Sequence, residues 1–224
     1  MRALLICTLL CGAMSAQGST EPNTLSEAEK KEGFELLFNG KDLSGWKNNN
    51  GKPIKTQVED GALQTYKSGG YFVMHEREFG DFVLRCEVKL SKPKTNSGIF
   101  IRVSNPKSPV QNGFEIQVMG GKGTGRHDFG AIYDLVAPSK NMNKPVGEWN
   151  SVEVTCKGPE ISVKVNGEAV SKINLDEYTE PKKRPDGSKH KFGDIKNLPR
   201  KGYLGFQDHG SQVWYRNVRI KELK

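Results

Sequence analysis

Alternation of apolar and polar side chains over residues 96–119 constrains the fold of this chain more than any other feature. Successive side chains of a strand point to opposite faces, so one face of each strand is apolar and the other is polar. A loop containing Pro, Asn and Gly lies between the two halves and predicts a pair of connected strands. The first strand places Ser97, Ile99 and Ile101 on one face and Phe100 and Arg102 on the other; the second places Phe114, Ile116 and Val118 opposite Glu115, Gln117 and Met119. If the strands pair, Arg102, Glu115 and Gln117 share one surface, which faces water or a ligand.

The same period of two recurs along the chain. Residues 82–90 and 150–157 alternate in this way, and Asp60-Gly61 and Asn166-Gly167 are typical of two-residue hairpin turns. Helical periodicity is almost absent, and roughly ten to twelve short strands are indicated. We therefore predict an all-β fold, a two-sheet antiparallel jelly-roll sandwich of the concanavalin A-like lectin and glucanase type.

The amino terminus predicts export. Arg2, a short apolar run and then small residues give residues 1–18 the pattern of a signal peptide. The run is too short for a transmembrane segment, and the residues before Cys7 and Cys11 disfavour a lipoprotein. Residues 19–32 form a polar lead-in, with a predicted helix over 25–32 capped by Thr24 and Glu27. Residues 33–224 form a single domain, located in the periplasm or secreted.

Cysteine content and charge restrict the partners. Cys86 and Cys156 form either a disulfide or two buried thiols, and we favour the thiols. The net charge of +8 comes largely from residues 182–191, which lack interleaved aromatic side chains. We interpret this segment as a solvated loop and expect a small carbohydrate, and no nucleic acid, as the partner. The sequence does not indicate the oligomeric state.

Two segments carry candidate catalytic groups. Glycosidases that use two carboxyl groups need both of them beside the scissile bond, whereas the polar face of residues 114–119 carries Glu115 as its only carboxylate. Two-carboxylate hydrolysis is therefore disfavoured. His209 follows Gln207 and Asp208 at the end of a strand, where its imidazole could exchange protons near neutral pH. The alternative is a purely structural turn.

A glycine-rich loop over residues 120–133 is the third candidate. It lacks the Ser or Thr and the helix of a phosphate-binding loop, so we expect it to bring Arg126, His127 and Asp128 to the rim of the site. The candidates for stacking on a sugar ring are Trp46, Tyr133, Trp149 and Trp214, with a core position as the alternative for each. The spacing of His and Cys predicts no metal site and no cofactor, although calcium held by Asp and backbone oxygens stays open.

Seven motifs, in order, give the chain a family resemblance. They are LFNGKDLSGW at 37–46, NSGIFIR at 96–102, FEIQ at 114–117, GAIY at 130–133, GEWN at 147–150, GYLGFQDHG at 202–210 and VWYRN at 213–217. Together they resemble the 3-keto-disaccharide hydrolase family, also described as 3-keto-glycoside 1,2-lyase/2-hydroxy-glucal hydratase. The resemblance implies a concanavalin A-like sandwich that acts outside the cytoplasm on glycosides oxidised at C3.

That chemistry suits the candidate residues. A ketone at C3 acidifies the C2 proton, so a base can form an enolate that expels the C1 substituent, and water can then add. We expect His209 or Glu115 to act as the base and Arg102 or Gln117 to stabilise the enolate. His127 or Tyr133 is the candidate proton donor to the leaving oxygen, with Gln207 and Asp208 as substrate ligands. The alternative function is a glycan-binding module without catalysis.

Overall fold

The computed structural model describes residues 21–224, so the predicted signal peptide at 1–18 lies outside the described residues. Within this range thirteen strands occur, slightly more than expected because several are only two or three residues long. In chain order the strands are β1 (Glu35–Leu36), β2 (Trp46–Asn48), β3 (Val58–Glu59), β4 (Ala62–Gln64), β5 (Phe72–Phe79), β6 (Phe82–Leu90), β7 (Asn96–Val103), β8 (Phe114–Met119), β9 (Trp149–Lys157), β10 (Glu160–Val165), β11 (Glu168–Asn174), β12 (Gly202–Gln207) and β13 (Val213–Glu222).

These strands form two antiparallel sheets and confirm the predicted sandwich. The larger sheet has eight strands in the order β11-β10-β9-β6-β13-β4-β3, with β1 beside β13. The smaller sheet has five strands in the order β2-β5-β12-β7-β8. Both Asx-Gly hairpins are present, since the left-handed φ angles of Asp60 and Gly61 (49° and 72°) and of Asn166 and Gly167 (51° and 85°) fit type I′ turns.

The core lies between the sheets and follows the predicted alternation. Alternate side chains of β6, from Phe82 to Leu90, are buried there. Cys86 and Cys156 are both buried and free. In the pairing of β6 with β9, Cys86 lies opposite Val152 and Cys156 lies opposite Phe82, so the two thiols are several residues out of register. The disulfide alternative is therefore wrong.

The described residues contain one α-helix, α1 (Glu27–Glu32), and one short 3₁₀ helix, Leu175–Glu177. The predicted cap of α1 was misplaced by two residues. Ser26 accepts a hydrogen bond from the Glu29 backbone, and the Glu29 carboxylate accepts one from the Ser26 N–H at 3.0 Å. Gly33 ends the helix with φ 87°, as expected. Across residues 21–224 no helix is long and apolar enough to cross a membrane.

A β-bulge in β7 overturns the predicted direction of Arg102. Tyr203 pairs with Val103 and Gly205 with Phe100, so β7 has one more residue than β12 over this stretch. Arg102 occupies the bulge with φ 50°, which turns its side chain to a buried position at one end of the sandwich. The alternation breaks at this residue, and the prediction that Arg102 lies beside Glu115 is wrong.

Candidate active site

A small cavity lies on the outer face of the five-stranded sheet. Its volume, counted together with the open space at its mouth, is about 270 Å³. The lining residues come from seven parts of the chain: Tyr71, Asn96, Val110, Glu115 with Gln117, Tyr133, Lys191, and Gln207 with His209. Five of the predicted site residues are thus brought together, namely Glu115, Gln117, Tyr133, Gln207 and His209.

Glu115 is the buried carboxylate of this cavity. It lies on the polar face of β8 and is only 7% exposed. Within residues 21–224 its carboxylate accepts no hydrogen bond and forms no ion pair within 4.0 Å. Burial raises the pKa of Glu115 to about 8, and the nearby charge of Lys191 opposes this rise only in part. A carboxylate held in this way is a base whose strength is not reduced by a partner.

Gly98 provides the space that the Glu115 side chain occupies. Gly98 lies on β7 opposite Gln117, and Phe100 lies opposite Glu115. A methyl group on Gly98 would lie 2.7 Å from Cγ and 2.8 Å from Cδ of Glu115, closer than carbon atoms approach without bonding. A residue with any side chain at position 98 therefore displaces the carboxylate.

We expect Gly98→Ala to lower catalytic turnover by roughly 100-fold, because a shift of about 1 Å in a reacting group has an effect of this size. Initial rates of the catalysed reaction measure the loss. Gly193→Ala is the matched control, since a methyl group there meets no atom within 4 Å. Unchanged turnover in Gly98→Ala would show that the position of Glu115 is not critical.

Two glutamine side chains line the cavity. The side-chain amide nitrogen of Gln117 donates hydrogen bonds to the side-chain oxygen of Asn96 (2.8 Å) and to the backbone carbonyl of Ser97 (3.0 Å). Gln207, 3% exposed, donates to the Tyr71 hydroxyl at 2.6 Å, and its own Oε1 is buried with no donor in the described chain. Because a buried acceptor without a donor is costly, the Gln207 oxygen is suited to receive a ligand hydroxyl.

In the turn after β12, Asp208 has a structural role, whereas His209 is a candidate functional residue. Asp208 accepts hydrogen bonds from the Ser68 backbone (2.9 Å), the Ser68 hydroxyl (3.1 Å) and the Gly210 N–H (3.1 Å). It therefore holds the turn and does not line the cavity, contrary to the prediction. His209 is exposed at the mouth, and its imidazole has no hydrogen-bond partner in residues 21–224. It remains available to a ligand.

Two further predicted site residues belong to the folded scaffold. Arg102 is 1% exposed and donates to Gly80 O (2.9 Å), Gly158 O (2.8 Å) and Asp81 Oδ1 (2.7 Å). All its contacts join turns of the two sheets, so its guanidinium is not available to a substrate. Trp46 stacks on Phe206 in the core, with its Nε1 donating to a backbone carbonyl at 2.7 Å. The prediction that these two residues line the site is wrong.

The glycine-rich loop contributes less than expected. Its 130–133 segment runs beside β8, where the Tyr133 N–H donates to Glu115 O at 2.8 Å and places Tyr133 in the cavity wall. His127 lies outside the cavity, with its ring 4.7 Å from that of Tyr133. Asp128 accepts a hydrogen bond from the Gly125 N–H at 2.6 Å and so stabilises the loop itself. The prediction of direct substrate contact is not met by His127 or Asp128 in this arrangement.

Four lining residues were missed by the sequence analysis: Tyr71, Asn96, Val110 and Lys191. Lys191 comes from the basic segment that was interpreted as solvated. His190 and Phe192 flank Lys191 and are both buried, but this segment lies outside the strands, so no alternating pattern in the sequence indicates that burial. The interpretation of the whole segment as solvated is wrong, since Arg184 is buried as well.

The remaining candidates for stacking and for metal binding do not belong to this cavity. Trp149 and Trp214 lie on the larger sheet, where Lys89 Nζ lies 5.0 Å and 4.8 Å from their ring centroids. Within residues 21–224 no three His, Cys, Asp or Glu side chains are grouped so as to hold a metal ion.

Comparison with known proteins identifies the family. Residues 33–221 match the family described as the 3-keto-alpha-glucoside-1,2-lyase-like domain. A 3-keto-disaccharide hydrolase from Bacteroides thetaiotaomicron is 27% identical over an alignment of 245 positions, which covers 92% of this chain and 83% of the relative.

Solved structures agree with this match. A protein from Parabacteroides distasonis, provisionally described as a glycosyl hydrolase, has a TM-score of 0.74 and 30% identity over 91% of this chain and all of that protein. A second structure of that description from the same organism has a TM-score of 0.74 and 29% identity, covering 85% of this chain and 99% of the other. Because the family match spans most of the sequence, the chain belongs to the 3-keto-alpha-glucoside-1,2-lyase-like domain family.

Proposed function

We propose that this protein cleaves 3-keto-glycosides by removing the C2 proton and expelling the C1 substituent, followed by addition of water. The observation that carries the proposal is Glu115, a buried carboxylate without a partner in the described chain, in a cavity lined mainly by polar side chains. Elimination next to a ketone needs one base, whereas ordinary glycoside hydrolysis needs two carboxyl groups. Glu115 is the only carboxylate among the lining residues of the cavity within the described chain.

The proposed reaction needs two protein groups that transfer protons, Glu115 as the base and His209 as the acid. Glu115 accepts the C2 proton, and the electron pair of the C2–H bond passes to the C3 oxygen as an enolate. The pair then returns, a C1–C2 double bond forms, and the C1–O bond breaks while His209 donates a proton to the leaving oxygen. Water adds to C1 and a proton returns to C2, so the net reaction is hydrolysis. The oxygens of Gln117 and Gln207 accept hydrogen bonds from ring hydroxyls.

The relatives support the substrate class. The Bacteroides thetaiotaomicron relative carries the name 3-keto-disaccharide hydrolase, and the family description refers to a 1,2-lyase acting on 3-keto-alpha-glucosides. These names agree with a carbohydrate substrate oxidised at C3. The proposed elimination accounts for both descriptions, because a lyase step followed by hydration gives the products of hydrolysis.

The direct experiment uses a 3-keto-glucoside with a chromogenic aglycone. We expect the protein to release the aglycone well above the buffer rate, and to leave the unoxidised glucoside intact because its C2 proton is not acidic. Parallel reactions with a chelator test the calcium alternative. Binding of unoxidised glycans without aglycone release from the 3-keto substrate would instead favour a glycan-binding module.

We expect His209→Ala to lower the rate of aglycone release by roughly 100-fold, since general acid catalysis contributes at least this factor. The loss should be smaller for an aglycone with a low pKa, because such a leaving group needs no proton. His127→Ala is the matched control, as His127 is exposed and close to Tyr133 but outside the cavity. Equal losses with both aglycones would remove His209 as the proton donor.

We also propose that the protein is exported, on the signal-peptide pattern of residues 1–18. Amino-terminal sequencing of the protein from fractionated cells of its source tests this. A mature form that begins close to residue 19 in the periplasmic or secreted fraction is expected, and an unprocessed cytoplasmic form would contradict it.

A further inference from the structure

A cationic side chain enters the cavity from a loop whose contribution the sequence did not reveal. The lining residues of the cavity include Lys191, which belongs to the long connection between β11 and β12. The reaction proposed above creates negative charge on the C3 oxygen when the C2 proton leaves. A site for this reaction needs a group that stabilises that charge.

The donors expected from the sequence are already engaged elsewhere. The guanidinium of Arg102 is bound to Gly80, Asp81 and Gly158 at the end of the sandwich. The amide of Gln117 donates to Asn96 and Ser97 within the sheet. Neither can donate to an enolate oxygen without breaking these contacts.

Lys191 is held in place without being neutralised. Its Nζ lies 3.9 Å from the centroid of the Tyr133 ring, a cation–π contact that orients the ammonium group. No carboxylate in residues 21–224 lies within the 4.0 Å distance of an ion pair with it. The charge of Lys191 also lowers the pKa of Glu115 against the effect of burial, so the two groups interact across the cavity.

A buried ion pair fixes the loop that carries Lys191. Arg184 is buried and donates to the carboxylate of Asp134 at 3.1 Å and to the backbone carbonyls of Asp134, Leu135 and Lys189. The other carboxylate oxygen of Asp134 accepts the Lys191 N–H at 2.9 Å. Because Asp134 follows Tyr133 directly, this pair aligns Lys191 with the cavity wall.

We propose that Lys191 is a catalytic residue that binds the C3 oxygen of the substrate and stabilises the enolate. This inference rests on the proposed function. The ammonium donates a hydrogen bond to the ketone oxygen, and the bond strengthens as charge moves to that oxygen. No bond to carbon forms, and Lys191 keeps its protons throughout.

The test compares Lys191→Met with Lys189→Met, which removes an exposed charge two residues away. We expect Lys191→Met to lower turnover of the 3-keto substrate by about 100- to 1,000-fold, the effect of losing one such donor. The loss should fall mainly on kcat, and the isotope effect of deuterium at C2 should increase because proton removal becomes slower. Lys189→Met should behave as the wild type.

A chemical rescue separates charge from structure. Lys191→Cys should be as slow as Lys191→Met, and treatment with 2-bromoethylamine should restore much of the activity by recreating an ammonium group at that position. Cys86 and Cys156 are buried and protected, and the wild type treated in the same way checks this. If the wild type is active and Lys191→Met is equally active, the assignment of Lys191 is overturned and the proposed function stands. The absence of rescue in Lys191→Cys has the same consequence. A wild type that releases no aglycone overturns the proposed function and the assignment together.

Discussion

Glu115→Gln is expected to lower the turnover of 3-keto-glycosides by about 100- to 10,000-fold, the usual contribution of a general base. The substitution keeps the shape of the side chain and removes only its ability to take a proton. Initial rates of aglycone release measure the effect. In the wild type, kcat/KM should rise with pH towards a plateau above pH 8, because the pKa of Glu115 is raised to about 8 and only the carboxylate acts as a base. The variant should lack this rise.

A second prediction for Glu115→Gln concerns the pH dependence of the free energy of unfolding. The raised pKa means that folding favours the protonated form of Glu115, so this contribution to stability is complete below pH 4.5 and is lost as the pH rises through about 8. A neutral glutamine avoids the loss, so at pH 9 the free energy of unfolding of Glu115→Gln should exceed that of the wild type. Glu148→Gln, in an exposed turn, is the control. Full activity in Glu115→Gln would remove Glu115 as the base.

Arg102→Met is expected to lower the free energy of unfolding by about 3 kcal/mol, the low end of the range for breaking a buried ion pair. The low end applies because the Asp81 side chain is 36% exposed and water can solvate it once Arg102 is gone. The carbonyls of Gly80 and Gly158 also lose their donors. Thermal unfolding should show a decrease in Tm of roughly 6–12 °C, since each kcal/mol corresponds to about 2–4 °C at this chain length.

The exposed Arg126, with one ion pair at 3.8 Å, provides the control, and Arg126→Met should change the unfolding free energy by less than about 0.5 kcal/mol. Well below its Tm, Arg102→Met should retain the wild-type kcat/KM. An unchanged Tm together with lost activity would contradict the structural role assigned to Arg102 and return it to the list of catalytic candidates.

The sequence was most informative where alternation is regular. The polar face of β8 follows directly from the period of two, and it places Glu115 and Gln117 correctly. The same rule failed one strand away at Arg102, because a bulge adds a residue to β7 and reverses the direction of the side chain. A single non-glycine residue with positive φ leaves no clear signal in the composition of the strand.

Contacts between distant segments were the other limit. Lys191 reaches the cavity because Arg184 pairs with Asp134, fifty residues earlier in the chain. Neither residue suggests this pairing from its local sequence, so the segment was interpreted as solvated. Asp208 and His209 show the same limit, since their local sequence does not reveal that Asp208 binds Ser68, 140 residues earlier, and that His209 faces the cavity.

Loss of deuterium from C2 of the substrate tests the central claim most directly. A 3-keto-glucoside labelled with deuterium at C2 is cleaved by the protein, and the label in the sugar product is measured by mass spectrometry at early times. The account predicts that the label exchanges with water in step with aglycone release, beyond the background seen when the labelled product is incubated with Glu115→Gln. Cleavage with full retention of the label and with no deuterium isotope effect on the rate of aglycone release would show that the C1–O bond breaks without removal of the C2 proton, and would contradict the account.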